Sequence, residues 1–172
     1  WTVLRATPST RFLVLELSAR RPGYIAELAA IAPPSIGVVL NVGTAHLGEF
    51  GSRQAIADTK GELPQSLPAT GVAVLNADDP AVSAMADRTA ARVVRTSVTN
   101  SADVWASEVE LDDVARARFT LHAGERSVPV QLAVHGEHQV SNALQAAAVA
   151  LECGASLEQV TEALAAAGPV SK

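Results

Sequence analysis

The chain has 172 residues, of which 48% are hydrophobic and only 3% aromatic, so Ala, Val and Leu must fill the core of a single domain or of one domain with a small lobe. The formal net charge of −5 excludes a basic nucleic-acid surface, and no apolar run reaches the ~18–20 residues of a membrane span. The only cysteine, Cys153, excludes an intrachain disulfide, which favours the cytoplasm. We expect it to be a small buried apolar residue.

The first hundred residues alternate between apolar runs and helical patterns. Predicted strands cover residues 11–17, 36–42, 71–75 and 92–96. Predicted helices cover residues 24–31, 52–63 and 81–87. This alternation is typical of an α/β fold, with a mostly parallel sheet flanked by helices.

The pattern changes after about residue 100. Residues 104–110, 118–122 and 127–134 alternate apolar and polar side chains, and 123–126 has the composition of a hairpin turn. They predict a small antiparallel β lobe around residues 100–135. Two helices follow, over 139–151 and 157–166, the second capped by Ser156.

The most informative motif follows the strand at 36–42. It begins at Asn41, continues through His46 to Gly51-Ser52, and is followed by Lys60 on the next helix. Open α/β sheets bind their ligands at the carboxyl ends of strands, so this arrangement indicates a nucleotide site. His46 either ligates a divalent ion or caps the helix. For Lys60 there are three interpretations. It is a solvated helix residue, it contacts phosphate, or it reacts with CO₂ to form a carbamate that supplies an anionic oxygen ligand.

Glu16 lies near the end of the first predicted strand. A carboxylate in such an apolar run is costly unless it is paired or bound to metal. It either forms an ion pair with Arg20 or Arg21, or it is a ligand of Mg²⁺, which prefers carboxylates together with phosphate oxygens.

Four further polar residues are candidates for nucleotide contacts. Gln139 and Asn142 are three positions apart and share a helix face, and a side-chain amide matches the edge of adenine. Helix capping is the alternative. Asn76 and Asp79 follow a strand end and could touch the nucleotide, although turn chemistry is the favoured interpretation.

Together these motifs resemble the Mur ligases, the ATP-dependent amide-forming enzymes of peptidoglycan precursor synthesis. The stretch from Gly43 to Ser52, with Lys60-Gly-Glu62, is most similar to the members that add D-alanyl-D-alanine. Four motifs occur in the family's order, namely Glu16, the His46 loop, Lys60 and the helix start at residues 136–148. The resemblance covers essentially the whole chain and implies the family's central ATP-binding domain.

The resemblance also implies residue roles. Glu16 matches the ligand of one Mg²⁺, His46 the ligand of a second, and Lys60 the lysine that is carbamylated in relatives and supports that second ion. Gln139 and Asn142 match the two adenine contacts, with Gln139 standing where relatives commonly have Asn.

The implied substrates are ATP, UDP-N-acetylmuramoyl-tripeptide and D-alanyl-D-alanine, joined through an acyl phosphate. A cytoplasmic monomer is expected. The family's phosphate-binding loop is expected upstream of Trp1 and its amine-binding domain after Lys172, so the segment alone is expected to be inactive. Another Mur-type ligase, a folylpolyglutamate synthase and a non-catalytic nucleotide-binding domain remain alternatives.

Overall fold

A computed structural model describes residues 2–18, 21–43 and 52–168. Within these residues the strands form one sheet of six, arranged in chain order from β1 to β6. The strands are β1 (Ile36–Val39), β2 (Val72–Asn76), β3 (Arg92–Ser97), β4 (Val104–Leu111), β5 (Arg116–Ala123) and β6 (Arg126–His135). The helices are α1 (Tyr24–Ile31), α2 (Arg53–Lys60), α3 (Glu62–Gln65), α4 (Pro80–Ser83), α5 (His138–Glu152) and α6 (Leu157–Ala166).

The two halves of the sheet pair differently. Strands β1 to β4 are parallel, and β4, β5 and β6 are antiparallel. The β5–β6 hairpin turns at Gly124, whose φ of 58° is the left-handed conformation that glycine adopts without steric cost. The predicted α/β class and antiparallel region are therefore confirmed. The antiparallel strands continue the same sheet, so the predicted lobe is an extension of it rather than a separate layer.

A separate apolar core covers each face of the sheet. Alternate side chains of β2 point to opposite faces, so Val74 belongs to the core that includes residues of α5 and α6, whereas Ala73 and Leu75 belong to the core that includes residues of α2 and α4. The first core includes Phe119 and Leu144, both at most 2% exposed. Small and β-branched side chains thus fill both layers, as the low aromatic content requires.

Three helix predictions match to within one residue and two are divided. The predicted helix over 139–151 is α5, and the one over 81–87 is α4 followed by a 3-10 helix, Ala84–Arg88. Helices α1 and α6 have the predicted bounds, and Ser156 caps α6 in a capping box with Gln159. The predicted helix over 52–63 is broken at Gly61 into α2 and α3. A Cβ on Gly61 would lie 2.2 Å from an Arg88 side-chain nitrogen, so a larger residue there would displace Arg88.

The predicted first strand is wrong. Residues 11–17 carry no strand hydrogen bonding, and Phe12 and Val14 are 58% and 85% exposed. An apolar run indicates a preference for burial, but a strand also needs a partner with free backbone groups. Among the described residues, β1 pairs only with β2, and the 11–17 segment does not occupy its other edge.

The expected burial of Cys153 is also wrong, because this residue ends α5 and is exposed. The Ala-rich pattern around it correctly predicts the helix, but it does not show where the buried face of that helix ends. None of the helices in residues 2–18, 21–43 and 52–168 combines the length and apolar character needed to cross a membrane.

Candidate functional site

The candidate site is built around the end of β1. The ladder with β2 is in register up to Val39, and the chain continues through Leu40, Asn41 and Val42. Side chains from other elements bind the backbone of all three residues. We call these side chains the strand-end cluster; they are Arg53, Lys60, Asn76, Asp79 and Gln145.

Lys60 is the last residue of α2, and its Nζ donates a 2.6 Å hydrogen bond to the carbonyl oxygen of Asn41. The side chain is half-buried. Burial lowers the pKa of the Lys60 amino group, while the negative charge of Asp79 partly offsets this effect. Helix α2 begins at the Ser52 cap, which accepts from Ala55 N. A lysine held this way is available to an anion or, when neutral, to CO₂.

Asn76 and Asp79 bind backbone groups, as the turn interpretation expects. Asn76 is buried at the end of β2; its Nδ2 donates to the Leu40 oxygen at 2.9 Å and its Oδ1 accepts from Asp78 N. Asp79 caps α4 by accepting from Ala81 N, and its other oxygen accepts from Val42 N at 2.7 Å. The two side chains thus fasten the β2–α4 turn to the end of β1.

The neighbouring Asp78 faces β3 instead. Its carboxylate accepts hydrogen bonds from Ser97 Oγ, Thr99 Oγ1 and Val98 N, at 2.5–2.6 Å. Burial acts to raise the pKa of Asp78, but these hydrogen bonds outweigh it and lower the pKa below its ordinary value. Asp78 therefore ties the turn to the next strand end.

Helix α5 brings a third set of amides to the same edge. Asn142 Nδ2 donates to Gln139 Oε1 at 3.0 Å, which agrees with the shared face predicted from their spacing. One turn further, Gln145 is 2% exposed and its Nε2 lies 3.5 Å from the Leu40 oxygen. At that length the hydrogen bond is weak. Helix α5 nevertheless reaches the strand end through this side chain.

Two predicted metal ligands are not brought to this cluster by the described contacts. Glu16 is exposed, and no contact between described residues joins it to Lys60 or to the end of β1. His46 lies outside the described residues. Of the proposed ion-pair partners of Glu16, Arg21 instead pairs with Glu27 at 2.5 Å. Within the described ranges, no group of three or more His, Cys, Asp or Glu side chains is placed to hold a metal ion.

Two members of the cluster were not predicted from sequence. The i, i+3 spacing from Asn142 would have placed Gln145 on the same helix face, so a signal for it existed. Arg53 had no such signal, because its contacts depend on the path of the chain after β1. Its Nε donates to the Val42 oxygen at 3.1 Å, and one terminal nitrogen lies 3.3 Å from Asp79 Oδ1.

The arrangement suits a ligand with an anionic end. Two cations, Arg53 and Lys60, stand beside one carboxylate, Asp79, and the amides of Gln139 and Asn142 lie on a helix that reaches the same sheet edge. Cationic groups near a strand end can hold phosphate, and paired amides can read the donor and acceptor edge of a base.

Comparison with known proteins identifies the family of this chain. The model of the Mur ligase middle domain matches residues 2–150. The chain is 69% identical over 172 residues to the UDP-N-acetylmuramoyl-tripeptide–D-alanyl-D-alanine ligase of Mycobacterium bovis, covering all of this chain and 34% of that protein.

Solved structures give the same result. The crystal structure of MurF from Acinetobacter baumannii superposes with a TM-score of 0.91 at 34% identity, covering 98% of this chain and 37% of that one. MurF ligase from Thermotoga maritima in complex with ADP gives a TM-score of 0.80 at 29% identity, over 91% of this chain and 36% of that one.

The chain spans about a third of the length of the curated relatives that it matches. Over that span, the family match, the sequence identity and the shared sheet agree with each other. The protein belongs to the Mur ligase family and carries its middle domain.

Proposed function

We propose that this chain is the central, ATP-binding part of a ligase that adds D-alanyl-D-alanine to UDP-N-acetylmuramoyl-tripeptide in the cytoplasm, acting as a monomer. The observation that carries the proposal is the 69% identity, over the entire chain, to a ligase named for that reaction. The flanking parts of the enzyme would supply a phosphate-binding loop before residue 1 and the amine-binding domain after residue 172.

Nucleotide binding is the part of this function that the chain itself would perform. A relative with 29% identity binds ADP. In this chain, the amides of Gln139 and Asn142 would contact adenine, while Asn76 and Asp79 would hold the backbone beside the nucleotide. The hydrogen bond that Asn142 Nδ2 donates to Gln139 Oε1 supports this role, because it fixes the orientation of both amides before a base arrives.

Two magnesium ions would be held, one by Glu16 and a second by His46 with a carbamylated Lys60. Lys60 fits this role, because burial lowers the pKa of its amine and only the neutral amine reacts with CO₂. A carbamate also keeps one N–H, which can retain the hydrogen bond to the Asn41 oxygen. When bound, Mg²⁺ would supply the positive charge that brings the phosphates and the substrate carboxylate together.

In the proposed reaction the terminal carboxylate of the tripeptide attacks the γ-phosphorus of ATP, and ADP leaves. The amine of D-alanyl-D-alanine then attacks the resulting acyl phosphate, forming the amide bond and expelling phosphate. Phosphoryl transfer needs mainly positioning and charge neutralisation. The cluster would meet the positioning part of this need by fixing Lys60 and the chain after β1.

The direct test is a product assay with the full-length ligase. ATP and D-alanyl-D-alanine are supplied with UDP-N-acetylmuramoyl-tripeptide, and phosphate release and product mass are measured. We expect one phosphate per amide formed. Parallel reactions with UDP-N-acetylmuramate plus L-alanine, and with folate plus glutamate, separate the related ligases.

Product in one of those parallel reactions alone would reassign the acceptor. Binding of ATP without turnover in any reaction would contradict the enzymatic proposal and favour a non-catalytic nucleotide-binding domain.

A further inference from the structure

The pair formed by Arg53 and Asp79 encloses one backbone unit beyond β1. Val42 N donates to Asp79 Oδ2 at 2.7 Å, and the Val42 oxygen accepts from Arg53 Nε at 3.1 Å. The two side chains also contact each other, since a terminal guanidinium nitrogen of Arg53 lies 3.3 Å from Asp79 Oδ1. Both polar backbone groups of Val42 are therefore bound by side chains that also bind each other.

The pair joins parts of the chain that are far apart in sequence. Arg53 is the first residue of α2, and Asp79 is the cap of α4. Val42, whose side chain is 2% exposed, lies between them at the exit from the sheet. Here the β1–β2 register no longer sets the path of the chain, so these hydrogen bonds set it.

Lys60 is fixed to the adjacent peptide unit. Its Nζ donates to the oxygen of Asn41, which belongs to the same planar peptide group as the Val42 nitrogen. The N–H and C=O of a trans peptide point in opposite directions within its plane, so the Val42 N–H meets Asp79 on one side of the chain and the Asn41 carbonyl meets Lys60 on the other. Rotation of this peptide would therefore break both contacts together.

We propose that the Arg53–Asp79 pair is a positioning device for the reaction, which holds the Asn41–Val42 peptide in the orientation that places the Lys60 amino group. This inference rests on the proposed function, since Lys60 is the group whose placement matters. Arg53 and Asp79 act through the peptide and need not touch the substrate.

The exposure of Arg53 separates positioning from stability. The Arg53 side chain is 54% exposed, whereas that of Asp79 is 11% exposed, so the arginine is the partner whose loss should cost little folding stability. Arg92, paired with Glu152 elsewhere on the sheet, has a side-chain exposure of 59% and is the matched control. Loss of either arginine should change the melting temperature to a similar small extent.

The test compares Arg53→Gln, Asp79→Asn, the double variant and Arg92→Gln in the full-length ligase. We expect Arg53→Gln to lower kcat about ten- to a hundredfold, with the KM values for all three substrates within about twofold, because a misplaced group costs rate more than binding. The double variant should be no slower than the slower single variant, since either change alone already disrupts the shared contacts among Arg53, Asp79 and the Val42 backbone. Arg92→Gln should retain the unaltered kcat.

A second measurement does not depend on activity. Hydrogen exchange of the Val42 amide should become about tenfold faster in Arg53→Gln and Asp79→Asn than in Arg92→Gln. An unchanged Val42 exchange rate would overturn the proposal, as would a kcat of Arg53→Gln equal to that of Arg92→Gln, or additive losses in the double variant.

Failure of the proposed function gives a different result. The unaltered ligase would then form no D-alanyl-D-alanine product, while the Val42 exchange rates would still respond to the variants. That outcome would reject the positioning role of the pair in the reaction and leave it as a structural contact of this turn.

Discussion

The carboxyl end of β1 and the antiparallel extension β4–β6 are built on opposite principles. At the end of β1, side chains from α2, α5 and the β2–α4 turn converge on three consecutive backbone residues. In the extension, apolar side chains from β4–β6 and α6 pack together, and the ion pairs lie on the surface. Apolar packing therefore builds the scaffold, while polar contacts hold irregular backbone where chemistry is proposed.

The comparison leads to different expectations for substitutions in the two regions. Changes at the strand end should reduce activity more than stability. Changes in the extension should reduce stability and affect activity only through loss of folded protein.

The largest expected effect is at Lys60. In the full-length ligase, Lys60→Ala should lower kcat by about a thousandfold or more, since it removes the proposed carbamate ligand of the Mg²⁺ that would neutralise charge in the transition state. Product formation measures the loss, and high bicarbonate should restore part of the activity. Lys60→Arg is the control for charge alone, because arginine stays protonated and forms no carbamate. Full activity of either variant without bicarbonate would contradict the assigned role.

The next largest effect is expected in the extension. Phe119 is 2% exposed in the core, so Phe119→Ala should lower the free energy of unfolding by about 3–4 kcal/mol, through lost burial and the cavity left behind. Urea unfolding measures the difference. Phe12→Ala is the matched control, because Phe12 is 58% exposed and should cost less than about 0.5 kcal/mol. Equal losses at both positions would mean that residues 11–17 are packed in solution.

A smaller, pH-dependent effect is expected at Asp78. At pH 7, Asp78→Asn should cost about 1–2 kcal/mol, because one oxygen and the charge that accept from Ser97, Thr99 and Val98 are lost. The pKa of Asp78 is lowered in the folded state, so its stabilisation is present at neutral pH. It should disappear as the pH falls below the ordinary aspartate pKa of about 3.9 toward the folded value.

Thermal unfolding across that pH range tests this expectation, with the exposed Asp113→Asn as control. A difference between Asp78→Asn and the unaltered protein that grows as the pH falls would contradict the account.

Periodicity in the sequence is sufficient to predict most of the scaffold. The spacing of apolar residues locates α1, α6 and the antiparallel strands, because each buries one regular face. It misplaces residues 11–17, because hydrophobicity does not specify a pairing partner. The same limit applies to Glu16, whose predicted burial depended on that strand.

The site is predictable where its geometry is local. Gln139 and Asn142 share a face because helical spacing requires it, and the Asn76 and Asp79 side chains act in a turn of the expected kind. Arg53 is not predictable in this way. Its contacts with Val42 and Asp79 join residues 11 and 26 positions away, and only the folded chain brings them together.

The central claim is that the edge containing α5 and the end of β1 binds the nucleotide. The most direct measurement is the melting temperature of the full-length ligase with and without Mg²⁺ and a non-hydrolysable ATP analogue, for the unaltered protein, Asn142→Ala and the exposed surface control Asn100→Ala. A ligand that binds only the folded state raises stability by mass action. The account predicts a Mg²⁺-dependent rise that Asn142→Ala greatly reduces and Asn100→Ala retains. An equal rise in all three proteins, or no rise in any, would contradict it.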